Sequence, residues 1–318
     1  MPLKNIMVLL FIIIMGLLFV ILNNDNEPKE FAQNKRVILS TFALYDAAKR
    51  ISKDTLELST VLPFGSDTHT YELTPKKMAE IQTAALFVYS GASLEPWIDK
   101  VKPKNAINMS QYMDLINFEQ GQHCDHEGHG HNHHNHHNTH NETTKNIDPH
   151  YWLDLDNMVK IANKLTEAFI KISPEKKSFF ELNKQAYIEH LKKMDTRYAL
   201  ALKECTKDTI VVNHNAYSYL GKKYGFQIDS INGLSTESMP SPQNIKNILH
   251  LIKEKEISVI FFESFASDRL VKSIAKDTNI SVDTLQPLGN ITKDEVDLSY
   301  EELMDKNIEK IKQALECK

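Results

Sequence analysis

The chain of 318 residues has no excess of basic charge: 37 lysines and arginines face 42 aspartates and glutamates, for a net charge of −5. A nucleic-acid partner is therefore not expected, because that role needs a basic face. The His-Glu-x-x-His signature of zinc proteases is missing, and no obvious general base is paired with a histidine. Cysteine is scarce, with only Cys124, Cys205 and Cys317. None lies near the N-terminus, which argues against a lipid anchor there. Nor does an Ala-x-Ala site follow the apolar run from Ile6 to Leu22. That run follows Lys4 and precedes Asn23-Asn24-Asp25, so it reads as an export signal. Its 17 residues also sit at the lower limit of a membrane span. Residues 1–23 are thus either a cleaved signal or a retained anchor in the inner membrane. Both readings export the remainder, beginning with a polar linker over 24–34.

Export makes a disulfide permissible. Cys205 precedes a predicted strand and Cys317 ends the last predicted helix. A bond between them would close a loop of about 110 residues and stabilise by roughly 4–5 kcal/mol on chain-entropy grounds. Two free thiols are the other reading, since sequence cannot bring the pair together.

What is present is a β-α alternation. Strands are predicted at Arg36–Thr41, Leu56–Leu62 and Leu86–Tyr89, with a further one at Ala106–Asn108. Helices are predicted between them, one opened by Thr74-Pro75. The pattern returns after residue 205, with strands at Thr209–Asn213, Gln227–Ile231, Val259–Phe262 and Ser281–Leu285. Such alternation predicts an α/β fold with parallel sheets. Between the halves, Ser173-Pro174-Glu175 opens a helix of about 30 residues running to Glu204 without glycine or proline. It would span roughly 45 Å and is expected to join two lobes. The expected division is 35–172 for the N-terminal lobe, 173–205 for the linking helix and 206–318 for the C-terminal lobe.

Twelve of the fourteen histidines fall into two groups. Nine of them occupy 18 residues: His123, His126, His129, His131, His133, His134, His136, His137 and His140. Asn, Gly and charged residues fill the gaps, so this tract cannot bury a core. It is expected to bind several metal ions weakly, with Cys124 as a soft ligand among the imidazoles. Three other histidines stand at turns where elements end. His69 follows the second strand, His150 sits in Asp148-Pro149-His150-Tyr151-Trp152, and His214 ends the strand that opens the second half. In open α/β sheets, ligands bind beyond the carboxyl ends of strands. A lone loop histidine is more often structural, but three such positions beside a metal-binding tract point to one metal centre. Three neutral imidazoles favour zinc over oxygen-preferring manganese.

The segments Val61-Leu-Pro-Phe-Gly-Ser-Asp-Thr-His69, Asp148 to Trp152, Asn213-His214-Asn-Ala-Tyr-Ser-Tyr219, Phe262-Glu263 and Leu285-Gln-Pro-Leu-Gly289 occur in an order that resembles a known family. It is the metal-binding subunit of bacterial zinc and manganese ABC transporters, the cluster A-I solute-binding proteins, and within them the zinc-uptake ZnuA type. The resemblance covers about residues 35–318. It implies two (β/α) lobes joined by one long rigid helix, with the metal in the cleft between them. By it His69, His150 and His214 are ligands, and the histidine at 214 resembles the zinc type rather than the manganese type. Many members carry a carboxylate ligand where this chain reads Gln286. That departure leaves water, Gln286, Asp67 or Glu263 to complete the shell, with water or Gln286 favoured and Glu263 better suited to orienting an imidazole.

The function this implies is a periplasmic zinc receptor, expected to be monomeric. It would deliver Zn²⁺ to a membrane permease driven by a cytoplasmic ATPase, with the tract as an accessory collector. An enzyme is not expected. The alternatives are an exported zinc hydrolase, a manganese-type receptor and an adhesin-like surface protein.

Overall fold

The computed structural model describes residues 35–117, 147–232, 241–263 and 269–318. The expected signal or anchor, the linker and the histidine tract with Cys124 lie outside the described residues. Among the described residues, no helix is long and apolar enough to cross a membrane.

Two four-stranded parallel sheets carry the chain. The first contains β1 (Arg36–Leu39), β2 (Glu57–Thr60), β3 (Leu86–Tyr89) and β4 (Ala106–Asn108), in the order β2-β1-β3-β4. The second contains β5 (Thr209–His214), β6 (Gln227–Asn232), β7 (Val259–Phe262) and β8 (Ser281–Thr284), in the equivalent order β6-β5-β7-β8. Helices α1 (Phe42–Ser52), α2 (Pro75–Thr83) and α3 (Ile98–Val101) belong to the first sheet. Helices α4 (Leu155–Ile172) and α5 (Lys177–Ala201) connect the halves. Helices α6 (Ser218–Tyr224), α7 (Pro242–Glu254), α8 (Arg269–Thr278) and α9 (Tyr300–Ala314) follow. Strands β1, β3, β5 and β7, inside the sheets, read as mainly apolar runs rather than alternating ones, as strands covered on both faces do.

The strand period of two decides which core each residue joins. Val37 and Leu39 of β1 enter one cluster while Ile38 between them enters another. Val212 of β5 joins the same cluster as Val37, while Val211 faces outward into a third. The large cluster runs through both halves and includes Trp152, Leu191 of α5 and Ile311 of α9. The lobes thus share one central core and each keeps a smaller one of its own.

Local signals account for most boundaries. Thr74 accepts a hydrogen bond from the Lys77 amide at 3.3 Å with Pro75 in the first turn of α2, as the Thr-Pro pair predicts. Gly225 ends α6 with φ of 81°, a left-handed geometry that suits glycine. The linking helix differs from its expectation. Pro174–Lys176 forms a separate 3₁₀ turn, and α5 covers 25 residues and ends at Ala201. Its length is then about 37 Å rather than 45. The chain beyond Leu202 turns to reach Cys205, which is bonded to Cys317. Helix α5 touches both halves. It packs on α4 and α1, while Arg197 pairs with Asp305 of α9 at 2.6 Å and Asp195 accepts from the Tyr224 hydroxyl at 2.8 Å.

Cys205 and Cys317 form a disulfide, 112 residues apart in sequence, at an isolated antiparallel bridge. A Cys205→Ser, Cys317→Ser double variant should lose about 4 kcal/mol of unfolding free energy on chain-entropy grounds. Guanidinium titration of the oxidised protein and the variant measures it; coincident midpoints would show that the bond contributes nothing.

Candidate metal centre

The second sheet builds its part of the site at its topological switch point. β5 has β6 on one side and β7 on the other, so the connections leave its carboxyl end in opposite directions and open a crevice there. His214 is the last residue of β5 and Glu263 directly follows β7. The His214 Nδ1 hydrogen-bonds to Glu263 Oε1 across that crevice, with both residues buried.

In the first sheet the corresponding point is filled by protein. The Tyr151 hydroxyl donates to the Ser90 carbonyl at 2.9 Å, and the Glu95 carboxylate accepts from the Ser90 and Gly91 amides at 2.8 and 2.9 Å. Burial raises the pKa of Glu95, although these bonds oppose the shift. The anchored Tyr151 follows His150 and so fixes where that ring can lie. His150 does not end a regular strand. It follows the isolated bridge between Asn117 and Ile147 and leads into a 3₁₀ turn at Tyr151–Leu153. His69 lies well beyond the end of β2, in a loop where Asp67 Oδ1 accepts the His69 amide at 2.8 Å.

The three rings converge. Their centroids are separated by 5.2 Å for His69 and His150, 5.3 Å for His69 and His214, and 5.0 Å for His150 and His214. One ring nitrogen from each lies within 4.8 Å of the others, a cluster able to hold a metal ion. His150 and His214 are 2% and 1% exposed, while His69 is partly buried.

The tautomers follow from the partners. Asp148 Oδ1 accepts from both the backbone amide and Nδ1 of His150, at 2.9 and 2.8 Å. A carboxylate oxygen can only accept, so Nδ1 carries the proton and Nε2 keeps its lone pair. Glu263 imposes the same tautomer on His214. The His214 Nε2 is buried with no hydrogen-bond partner, and the His150 Nε2 faces the His69 Nε2 at 3.2 Å. Zinc–nitrogen bonds of 2.0–2.1 Å place tetrahedral ligand nitrogens about 3.4 Å apart, close to that separation. The donor set therefore fits a borderline-soft dication.

Electrostatics act in opposite directions on two of the rings. Burial, with some repulsion from the other two rings, holds His69 well below the usual histidine range. Burial also pushes His214 down, but the charge and hydrogen bond of Glu263 outweigh it, so its pKa is raised. The contributions to stability have opposite signs. His214 stabilises the fold below the unfolded value near 6.5, and this is lost as pH rises through its folded pKa. His69 costs stability as pH falls below about 6.5, because the unfolded chain takes up a proton that the folded ring refuses.

Of the residues singled out from sequence, His69, His150, His214 and Glu263 are brought together. Gln286 is directed elsewhere: its Nε2 donates to both oxygens of Glu295, at 2.7 and 2.5 Å, and its backbone pairs with Asn307. The cavity between the rings is bounded by Asp67, Thr68, Trp152, Pro287, Gly289 and Asn290, and Gln286 is not part of that lining. Its volume is about 10 Å³, roughly what one water molecule needs. Sequence reading missed Asp148 as a partner of His150. The signal was there: an acid two residues before a histidine with proline between can close a side-chain turn onto it.

Two parallel sheets of one strand order around a convergent triad of imidazoles define a bilobed α/β protein with a metal-competent cleft. The chain belongs to the family "Zinc-uptake complex component A periplasmic", ZnuA, whose model matches residues 37–314. It is 30% identical over 318 residues to the high-affinity zinc uptake system protein ZnuA of Bacillus subtilis, covering 96% of this chain and 97% of that one. It is 29% identical over 292 residues to the zinc-binding lipoprotein AdcA of Streptococcus pneumoniae, covering 89% of this chain but 56% of that relative's length. The crystal structure of the Zn(II)-bound ZnuA-like domain of that AdcA superposes with a TM-score of 0.71 at 27% identity, covering 89% of this chain and 99% of the domain.

Glu263→Gln keeps an acceptor for Nδ1 and removes the charge. The His214 titration midpoint, followed by NMR in metal-free protein, should move downward, because burial then dominates. An unchanged midpoint would show that the carboxylate does not set it.

Proposed function

We propose that this protein is an exported zinc receptor that captures Zn²⁺ through His69, His150 and His214 and delivers it to a membrane permease driven by an ATPase. The carrying observation is the convergence of the three ring nitrogens, with the buried His214 Nε2 lacking any protein partner. Asp148 and Glu263 support the reading, since carboxylates that hold the far nitrogen fix ring orientation and raise ligand basicity. Family membership supports zinc as cargo and transport as the role. Water is our choice for the fourth position, because Gln286 does not line the cavity and the cavity has room for about one water molecule.

The same cavity counts against a hydrolase. Three histidines and a water resemble a catalytic zinc, but a space of about 10 Å³ does not admit an ester or peptide. The two carboxylates nearest the rings already hold imidazole protons. We read the chain as a receptor with no turnover and as a monomer, divided into lobes at 35–172 and 206–318 around the linking segment 173–205. The tract 123–140 is its accessory collector.

Competitive titration with a calibrated chelator tests the reading. His69→Ala and His214→Ala should each weaken tight Zn²⁺ binding by more than the roughly 10–100-fold that losing a supporting partner costs. Deleting residues 123–140 should lower stoichiometry and spare the tight site. If the deletion removes the tight site instead, the tract is the metal binder and the three ligand roles fall together. Tight binding should also weaken as pH falls below about 6.5, because protons compete for the imidazoles.

A further inference from the structure

The segment after β8 belongs by sequence to the second half, yet its polar groups are used up in the first. The Pro287 carbonyl accepts from Trp152 Nε1 at 2.7 Å. The Leu288 and Gly289 carbonyls accept the Ala43 and Phe42 amides at 3.2 and 2.9 Å, satisfying the start of α1. The Ile291 carbonyl accepts the Gly65 amide at 2.9 Å. Leu288 is fully buried with φ of +61°, a left-handed conformation that a branched side chain adopts only when its surroundings impose it. Residues 287–291 are therefore a strap laid across the first half, and its neighbours are the loops that carry the histidines.

Asn290 is the centre of that strap. Its Nδ2 forks to the carbonyls of Pro63 and Ser66, at 2.7 and 2.8 Å, and its Oδ1 accepts the Ile291 amide at 2.9 Å. It is 6% exposed and borders the metal cavity. Pro63 to Ser66 is the turn that leads directly into Asp67-Thr68-His69. Gly289 lies against the same loop: a Cβ there would stand 3.1 Å from Thr68 Oγ1 and 3.5 Å from Trp152. His150 and His214 each have a buried carboxylate to aim them. The His69 loop has the strap instead.

We propose that Asn290 is the positioning residue for His69: its amide fork ties the 63–66 turn to the second half, so the His69 ring reaches the ligand position only while the strap is seated. Asn290 does not touch the metal. The proposal rests on His69 being a ligand. It adds that the third ligand is placed by a donor from the opposite half, 221 positions further along the chain.

The test uses the purified full chain with one equivalent of Co²⁺, in the presence of a chelator strong enough to strip the weak tract sites. Affinity and the ligand-field absorption spectrum are read together. Asn290→Ala should weaken binding by about 10–100-fold, the range for loss of an orienting partner, and its spectrum should move toward that of His69→Ala. Asn290→Asp keeps the size and the acceptor but turns a charge toward two carbonyls, and it should be at least as weak. Gly289→Ala, which crowds Thr68 without removing a hydrogen bond, should shift the spectrum in the same direction. Lys223→Met is the control, because it breaks ion pairs to Asp154, Asp156 and Asp195 that also join the halves but do not touch the His69 loop. Its spectrum should stay that of the parent. A parent-like spectrum and affinity for Asn290→Ala, or an equal shift for Lys223→Met, would overturn the proposal. If His69→Ala itself binds and absorbs like the parent, the ligand reading fails first, and that outcome is distinct from either.

Discussion

The structure depends on aiming three imidazole rings at one point largely out of contact with bulk water. A buried ring nitrogen without a partner is costly, and a ring free to rotate would turn that nitrogen toward the nearest donor. Asp148 and Glu263 prevent this by taking the far proton of His150 and His214. Two buried carboxylates are costly in their turn. Each is acceptable because it holds an N–H, and a divalent cargo would cancel the two negative charges. Site and cargo are in this sense one electrostatic unit, with the charge balance placed behind the ligands rather than among them. A neutral glutamine at 286 is consistent with that arrangement.

The two sheets share a strand order but use it differently. In the second, the switch point is where His214 and Glu263 meet. In the first, Tyr151 and Glu95 fill it, and the ligands come from loops that pass over the top. The tyrosine plug stays neutral, since burial holds its hydroxyl pKa well above the normal range. It also gives His150 a fixed origin. One half offers a rigid rim and the other offers loops fastened to fixed points.

The fold was legible because strands buried on both faces are continuous apolar runs, and Arg36–Leu39 or Val259–Phe262 stand out between polar turns. Helix ends were legible where a single residue decides them, as Thr74-Pro75 and Gly225 do. The linking helix was legible, and only its ends were read too far. Ser173-Pro174-Glu175 looks like a cap and first turn, but the proline begins a 3₁₀ turn, and nothing before Cys205 announces the stop at Ala201. At the site, His214 and Glu263 were visible because chemistry-bearing residues at strand ends are informative, and His69 and His150 because they stand in turns between recognisable elements. Gln286 was read from a motif position, which fixes where a backbone runs but not which neighbour an amide will choose. Glu295, nine residues on, chose it. Asn290 was invisible for a related reason: a fork onto two carbonyls 224 and 227 positions away leaves no trace in local sequence.

The bond between Cys205 and Cys317 has a mechanical consequence. It makes the second half a ring of chain, closed next to the end of α5. Tension applied to Lys318 passes through the sulfur atoms to residue 205 and on into the linking helix, without crossing α9. The last helix is thereby spared from being peeled off the shared core, and the strap ahead of it is spared with it. Pulling from this end loads the linking helix before it reaches the cleft.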